Sequence, residues 1–286
     1  MNETQAASPV DGPEITASEA ARLMDTLTEI VTRAAAATLT THFTEVSRRI
    51  KDDQSPVTAA DELSEAVILE GLAQVLPHLP VVSEESVAKA PGRILASVAI
   101  VDPLDGTKEF LAGRDEFTVN LGIVTHGVPV AGIIAAPAQG LLWRGVVGHG
   151  AERLRLKLKA GSDAESDGEP LAIHTRQAPQ PMVVATSRTH LDPQTRAFLS
   201  RLPGVEPYPC GSSVKFCQVA QGAADLYPRL SPTHEWDIAA GCAILAAAGG
   251  RVTDPHGQPL QFARIEDNFL VPGFIAWGDP SRAPAS

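Results

Sequence analysis

The sequence predicts a mixed α/β protein, and three observations carry that reading. Apolar residues recur at helical spacing through most of the first 76 residues. Between Phe117 and Lys159 the rhythm changes to short apolar segments. These are punctuated by His126-Gly127, Ala138-Gln139-Gly140 and Gly148-His149-Gly150, as in an antiparallel meander. From Met182 onward strand-like and helix-like segments alternate. At 286 residues the chain can bury one large core or two closely packed halves.

Residues 1–15 are polar, with neither a basic start nor an apolar segment, and read as a disordered tail rather than a signal peptide. Thr16-Ala-Ser-Glu19 has the form of a capping box. Leu23, Leu27, Ile30, Val31 and Ala34 follow at helical spacing, and Phe43, Val46 and Ile50 extend the pattern, so one long helix is expected over 17–50. A polar turn at 51–56 leads to a second helix over 58–76, with Leu63, Val67, Leu72 and Val75 on its buried face and Pro77 and Pro80 ending it. Val81-Val82 starts a short strand that delivers Ser83-Glu84-Glu85, and Ile94–Val101 reads as a buried strand. The acidic, small-residue segment GSDAESDGEP at 160–169 is expected to be a surface loop and the seam between an N-terminal half, 16–160, and a C-terminal half, 170–286. The second half begins with a strand at Met182–Thr186 and a helix from Pro193. A helix over 212–221 closed by Gly222, a strand at Ala224–Tyr227 and a helix from Asp237 to Ala248 closed by Gly249-Gly250 complete the expectation.

Composition narrows the function. The chain is 44% hydrophobic and 20% charged, as in ordinary soluble globular proteins. A net charge of −11 argues against a nucleic-acid polymer as partner. It leaves room for a small phosphorylated substrate, because a bound metal reverses the local field. Cys210, Cys217 and Cys242 lack metal-ligand spacing, and a reduced, cytoplasmic setting is the simplest account. No run of about 18 apolar residues appears, so no membrane span is expected.

The chemistry concentrates at 101–110, VDPLDGTKEF. Asp102 and Asp105 are three residues apart, with Pro103 stiffening the link and Gly106 freeing the backbone after it. Taken alone, Asp-Pro-x-Asp-Gly is an ordinary exposed turn. Two carboxylates converging from one tight turn would repel, however, and hard oxygen ligands suit Mg²⁺ or Mn²⁺. Thr107 opens a short helix over 107–112, whose first amides are expected to face the same point and attract phosphate. Spacing excludes other phosphatase chemistries. A cysteine phosphatase loop needs Arg six positions after its Cys, where this chain has Phe216 and Ala223; there is no Asp-x-Asp pair at this turn, no nucleophile elbow at Gly211-Ser212-Ser213 and no Walker lysine loop.

The string resembles the Asp-Pro-(Ile/Leu)-Asp-Gly-Thr metal signature of the inositol-monophosphatase-like, lithium-sensitive phosphatase superfamily. Its continuation, Lys108-Glu109-Phe110, looks like that of the bacterial CysQ-type 3'(2'),5'-bisphosphate nucleotidases. Companion motifs occur in order. Ser83-Glu84-Glu85 lies 18 residues ahead of the Asp turn, Pro56-Val57-Thr58-Ala-Ala-Asp61 resembles the family's Pro-Val-Thr-x-Ala-Asp, and Trp236-Asp237-Ile-Ala-Ala-Gly241 resembles Trp-Asp-x-Ala-x-Gly. Without the resemblance, Glu84 is a loop acid, Asp237 a helix N-cap and Asp61 the partner of Thr58 in a cap. The resemblance implies a layered α/β sandwich of the sugar-phosphatase type. It also implies Mg²⁺-dependent phosphomonoester hydrolysis with two or three ions, and Mn²⁺ as substitute. Glu84, Asp102, the carbonyl of Leu104, Asp105 and Asp237 would hold metal. Asp61 and Thr107 would activate water, with Glu84 counted among the catalytic residues. Ser187-Arg-Thr-His190, Gly211-Ser212-Ser213-Val-Lys215 and Tyr227-Pro-Arg229 resemble strings that hold the nucleotide. They place Gly106, Thr107, His190, Ser212, Ser213, Lys215, Arg229 and Asp237 on the substrate side. The implied substrate is 3'-phosphoadenosine 5'-phosphate, giving AMP and phosphate and clearing a by-product of sulfate assimilation. An inositol or other sugar phosphatase of the same superfamily is the second reading, and a non-catalytic metal- or phosphate-binding protein on this scaffold is a third, disfavoured because all the acidic positions, Asp61 and Thr107 are retained. Oligomeric state, monomer or homodimer, and peripheral association with the inner membrane stay open.

Overall fold

The structure, a computed structural model, describes residues 13–42, 48–50, 56–90, 96–158, 164–188 and 191–284. Expectations placed on residues 1–12, Phe43, Val46, Ile94, Leu95, 160–163 and His190 lie outside the described residues.

Helix α1 spans Ala17–His42, and Ile50, expected to continue it, instead lies in a strand. Strand β1, Arg48–Ile50, pairs antiparallel with β2, Pro56–Thr58. The Thr-rich end of α1 accounts for the shorter helix: Thr38 and Thr40 turn their hydroxyls back onto the carbonyls of Ala35 and Ala37, which weakens the helical ladder. Helix α2, Ala59–Val75, starts at a capping box of Thr58 and Asp61. Its buried face differs from the apolar reading. Ala60, Asp61, Ser64, Ile68, Gly71 and Leu72 face inward, while Leu63 is 46% exposed. Gly71 explains part of the rotation, since a Cβ there would lie 2.7 Å from Ile30 and hold the two helices apart.

The larger sheet has seven strands in the order β3-β4-β5-β6-β7-β8-β9. They are Val81–Ser83, Ser97–Asp105, Thr118–Thr125, Val128–Ala136, Leu141–Val146, Gly150–Leu158 and Ala164–Ile173. Only β3 and β4 run parallel; the remaining neighbours are antiparallel. The acidic stretch expected to be a loop is therefore, from Ala164 on, the edge strand β9, paired with β8 from Leu158↔Ala164 to Ala151↔Ile173. An edge strand needs few apolar residues and is protected by charge, here with Lys157 and Asp167 2.8 Å apart.

The second sheet, order β11-β10-β12-β16-β14, comprises β10 Met182–Thr186, β11 Val205–Pro209, β12 Leu226–Arg229, β14 Arg251–Thr253 and β16 Phe274–Trp277. A small ladder pairs β13, Thr233–His234, with β15, Leu270–Val271. Four further helices are α3 Thr107–Leu111, α4 Pro193–Leu199, α5 Val214–Ala220 and α6 Glu235–Ala247. The layers follow from which faces share a core. Leu27, Ile30, Val31 and Ile68 of α1 and α2 pack on Val101, Leu121 and Ile133 of the larger sheet. The opposite face, with Val98, Ile100, Ile134 and Trp143, meets Phe216, Ile238, Ile244 and Leu245 of α5 and α6, which in turn cover Tyr227 and Phe274 of the second sheet. Phe198 and Leu199 close the outer face over Val184, Leu226, Ile275 and Trp277. The result is the layered sandwich implied by the sequence resemblance.

Helix α6 sits unusually close to the larger sheet. Gly122, Gly132 and Gly145 face one another across β5, β6 and β7, making a side-chain-free row. A Cβ at Gly132 would fall 2.2 Å from the carbonyl oxygen of Ala240, and one at Gly145 would fall 2.9 Å from Ala247. The helix thus rests on backbone, and its first turn carries Asp237.

Candidate active site

The carboxylates gather where β3, β4 and α6 end. The parallel β3–β4 pair places Glu84 beside the end of β4, its amide donating to the carbonyl of Val101 at 3.2 Å. Asp102 is buried; its Oδ1 accepts the amide of Leu104 at 3.0 Å, while Oδ2 has no hydrogen-bond partner among the described residues. Ser64 of α2 donates to the carbonyl of Pro103 at 2.7 Å and ties the turn down. Asp237 reaches in from the first turn of α6, where the His234 amide, at 3.3 Å, and the Thr233 hydroxyl donate to its Oδ2. One oxygen each from Glu84, Asp102 and Asp237 lie within 4.8 Å of one another.

Such a cluster is unfavourable as it stands. Burial, reinforced by Glu84, Asp105 and Asp237, pushes Asp102 well above the usual carboxylate range. Burial and then Asp105 push Asp237 up as well, against Arg229, whose Nη1 is 3.8 Å from Asp237 Oδ2, and against Thr233. A partnerless buried carboxylate oxygen beside two further carboxylates suits a hard divalent cation, which would replace the lost hydration and cancel the repulsion.

The other expected residues fall close by, in roles that differ in detail. Asp105 is turned toward the Gly-Ser-Ser loop: its Oδ2 accepts from Ser212 Oγ at 2.7 Å, Ser213 N at 2.6 Å and Ser213 Oγ at 2.8 Å. The loop expected to offer its donors to phosphate therefore spends them on a carboxylate. Gly106 has φ 90, and a Cβ there would approach the Glu116 carbonyl to 3.0 Å, so this position demands glycine. Thr107 donates from its hydroxyl to the carbonyl of Leu104 at 3.3 Å. Asp61 is buried, and its Oδ2 accepts from both N and Oγ1 of Thr58, at 2.8 and 2.6 Å. Lys215 is buried with Nζ donating to the Ser212 carbonyl at 2.7 Å and lying 5.2 Å from the centre of the Tyr227 ring. Lys215 and Arg229 line a cavity of about 680 Å³ together with Ser187, Asp192, Arg196 and Tyr227. Arg229 thereby joins the cavity to the carboxylate cluster.

The sequence model of the Inositol monophosphatase family matches residues 17–276. The chain belongs to that family. It is 41% identical over 228 residues to the 3'(2'),5'-bisphosphate nucleotidase CysQ of Escherichia coli K12, a match covering 78% of this chain and 86% of the relative. The CysQ of Haemophilus influenzae is 29% identical over 245 residues, covering 83% and 86%. Among solved structures, CysQ from Bacteroides thetaiotaomicron, a bacterial member of the inositol monophosphatase family, aligns with a TM-score of 0.73 at 32% identity, covering 90% of this chain and 97% of that one. The inositol monophosphatase from Anabaena aligns with a TM-score of 0.69 at 25% identity, covering 91% and 92%.

Within this inositol monophosphatase family fold, sequence reading missed residues that brace the site. Ser64 and Thr233 are two, and β5 supplies two more. Thr118 and Ser212 place their hydroxyl oxygens 2.5 Å apart, and Asn120 Nδ2 donates to Ser213 Oγ at 3.0 Å. The available signal was Thr118 and Asn120 at alternate positions opening a strand whose middle is apolar. Among the described residues no helix is long and apolar enough to cross a membrane.

Proposed function

We propose that this chain is a 3'(2'),5'-bisphosphate nucleotidase, which hydrolyses 3'-phosphoadenosine 5'-phosphate to AMP and phosphate with Mg²⁺ at the carboxylate cluster. The observation that carries the proposal is the partnerless Oδ2 of Asp102 among Glu84 and Asp237, beside a cavity bearing Lys215 and Arg229. Glu84, Asp102, Asp237, Asp105 and the Leu104 carbonyl would hold two or three cations. A divalent cation bound there neutralises charge on the phosphoryl group and makes water nucleophilic at neutral pH. Asp61 and Thr107 orient the attacking water and take up its proton, so no covalent phosphoenzyme is needed. Lys215 and Arg229 hold the phosphate that is not cleaved and Gly106 lies against the reacting one, while Ser212 and Ser213, whose donors go to Asp105, serve the substrate side through that carboxylate; His190 belongs to the nucleotide-holding string. The 41% identity to a 3'(2'),5'-bisphosphate nucleotidase CysQ supports this substrate class, and the proposal extends to a cytoplasmic role in clearing a by-product of sulfate assimilation.

One assay tests the reading: phosphate release from 3'-phosphoadenosine 5'-phosphate and from inositol monophosphate, each with Mg²⁺ and with excess chelator. The expected result is Mg²⁺-dependent release with the bisphosphate strongly preferred. A preference for inositol monophosphate would overturn the substrate, and release unaffected by chelator would overturn the metal.

A further inference from the structure

Strand β5 does more than extend the sheet. Side chains alternate along a strand, so Thr118 and Asn120 share one face of β5, and Glu116 lies two residues ahead of its start. Each grips the 209–213 segment. Glu116 binds Arg188, Nε to Oε2 at 3.1 Å, and the same guanidinium donates to the Pro209 carbonyl at 2.9 Å. Thr118 meets Ser212 at 2.5 Å and Asn120 donates to Ser213 at 3.0 Å. Those two serines supply every contact to Asp105 Oδ2 given above, and Ser213 Oγ also lies 2.8 Å from the carbonyl oxygen of Asp237. Backbone pairing sets the same residues against the metal-site turn, Asp102 opposite Asn120 and Asp105 opposite Thr118.

Two further features mark this bracket as more than packing. Asn120 is buried with its Oδ1 lacking a hydrogen-bond partner among the described residues, so its amide is desolvated for the one bond it donates to Ser213. Ser212 has φ 54, a left-handed conformation uncommon outside glycine, and it is held there with its hydroxyl between Thr118 and Asp105.

The geometry points to Thr118 and Asn120 as positioning residues, which act through Ser212 and Ser213 to fix the Asp105 carboxylate beside the Glu84–Asp102–Asp237 cluster. This inference rests on the metal-site reading above. Neither residue touches the reacting groups. Their loss loosens Asp105, and partners that orient a ligand in this way usually affect metal affinity by about 10- to 100-fold.

The test is Mn²⁺ titration by calorimetry on the whole protein, with turnover measured across Mn²⁺ concentration. Thr118→Val keeps shape and removes the hydroxyl; it is expected to weaken Mn²⁺ binding by about tenfold or more, with turnover recovering as Mn²⁺ is raised. Thr118→Ser restores the hydroxyl and is expected to bind within about threefold of the unmutated protein. Should Thr118→Val fail to fold, Asn120→Ser, too short to reach Ser213, carries the same threshold. Unmutated protein that binds Mn²⁺ together with a folded Thr118→Val or Asn120→Ser of equal affinity overturns this inference alone. Unmutated protein that binds no Mn²⁺ overturns the metal-site reading and this inference with it.

Discussion

Replacing Gly132 by alanine adds one methyl group to the sheet face under α6. The added Cβ would stand 2.2 Å from the Ala240 carbonyl oxygen and 2.8 Å from its carbon, where about 3.0 Å is the least that real Cβ atoms tolerate. Helix or sheet must therefore give by roughly 0.8 Å, against backbone on both sides and with no flexible side chain to absorb the change. Overpacking of this kind costs about 1–3 kcal/mol, or about 2–5 °C in melting temperature for a chain of this length. Activity should suffer more than stability. Asp237 lies one helical turn before Ala240, and a displacement near 1 Å of a positioned group can cost about 100-fold in rate. Thermal unfolding in chelator and phosphate release at saturating Mg²⁺ provide the two readouts. A Gly132→Ala protein with unchanged melting temperature and unchanged kcat would refute the argument that backbone contact sets the seating of Asp237.

Asp102→Asn is expected to abolish turnover yet raise the melting temperature of the metal-free protein. The fold holds the Asp102 carboxyl well above the ordinary carboxylate range, so its ionised form costs stability at neutral pH. That cost sets in above the unfolded-state value and diminishes as pH falls from the raised folded value toward it, so the variant should show a flatter melting temperature against pH in chelator. Lys215→Met should lower bisphosphate turnover about 10- to 100-fold, given about 1.5–3 kcal/mol for a charge-assisted hydrogen bond, and should spare substrates with a single phosphate. Equal losses on both would place Lys215 in support of the Ser212 loop, whose carbonyl it also binds. Asp225 is a structural counterpart: its fully buried carboxylate accepts from Arg176 Nε at 2.7 Å and from the Val183 amide at 2.7 Å. Asp225→Ala should cost about 2–4 kcal/mol in urea unfolding, toward the lower end because Arg176 is 43% exposed and can return to water.

The parts of this molecule legible in sequence are those where chemistry constrains residue identity. Asp102, Glu84 and Asp237 belong to recognisable strings because a cation site requires carboxylates at fixed places, and the structure brings these three together. Asp105 belongs to the same turn, but its engagement by Ser212 and Ser213 depends on a loop more than 100 residues away, which no local pattern records. Apolar periodicity located α2 but misjudged its face. Asp61 and Ser64 are polar and buried because they serve the cap and the Pro103 carbonyl, while Leu63 is left exposed. The strand at Ala164–Ile173 was invisible for the opposite reason: its partner is backbone, its residues up to Glu169 are acidic or small, and neither property distinguishes an edge strand from a loop.

The three clustered carboxylates are delivered at different stages of chain synthesis. Glu84 and Asp102 ride on adjacent parallel strands and can be brought together by local assembly of the sheet, whereas Asp237 arrives only when α6 settles onto the glycine row. Docking of α6 is therefore also the event that concentrates negative charge in a buried place. A divalent cation held by these carboxylates would lower the cost of that step and, binding the assembled state but not the open one, would draw folding toward completion. Metal supply would then bear on the yield of finished molecules as well as on their turnover.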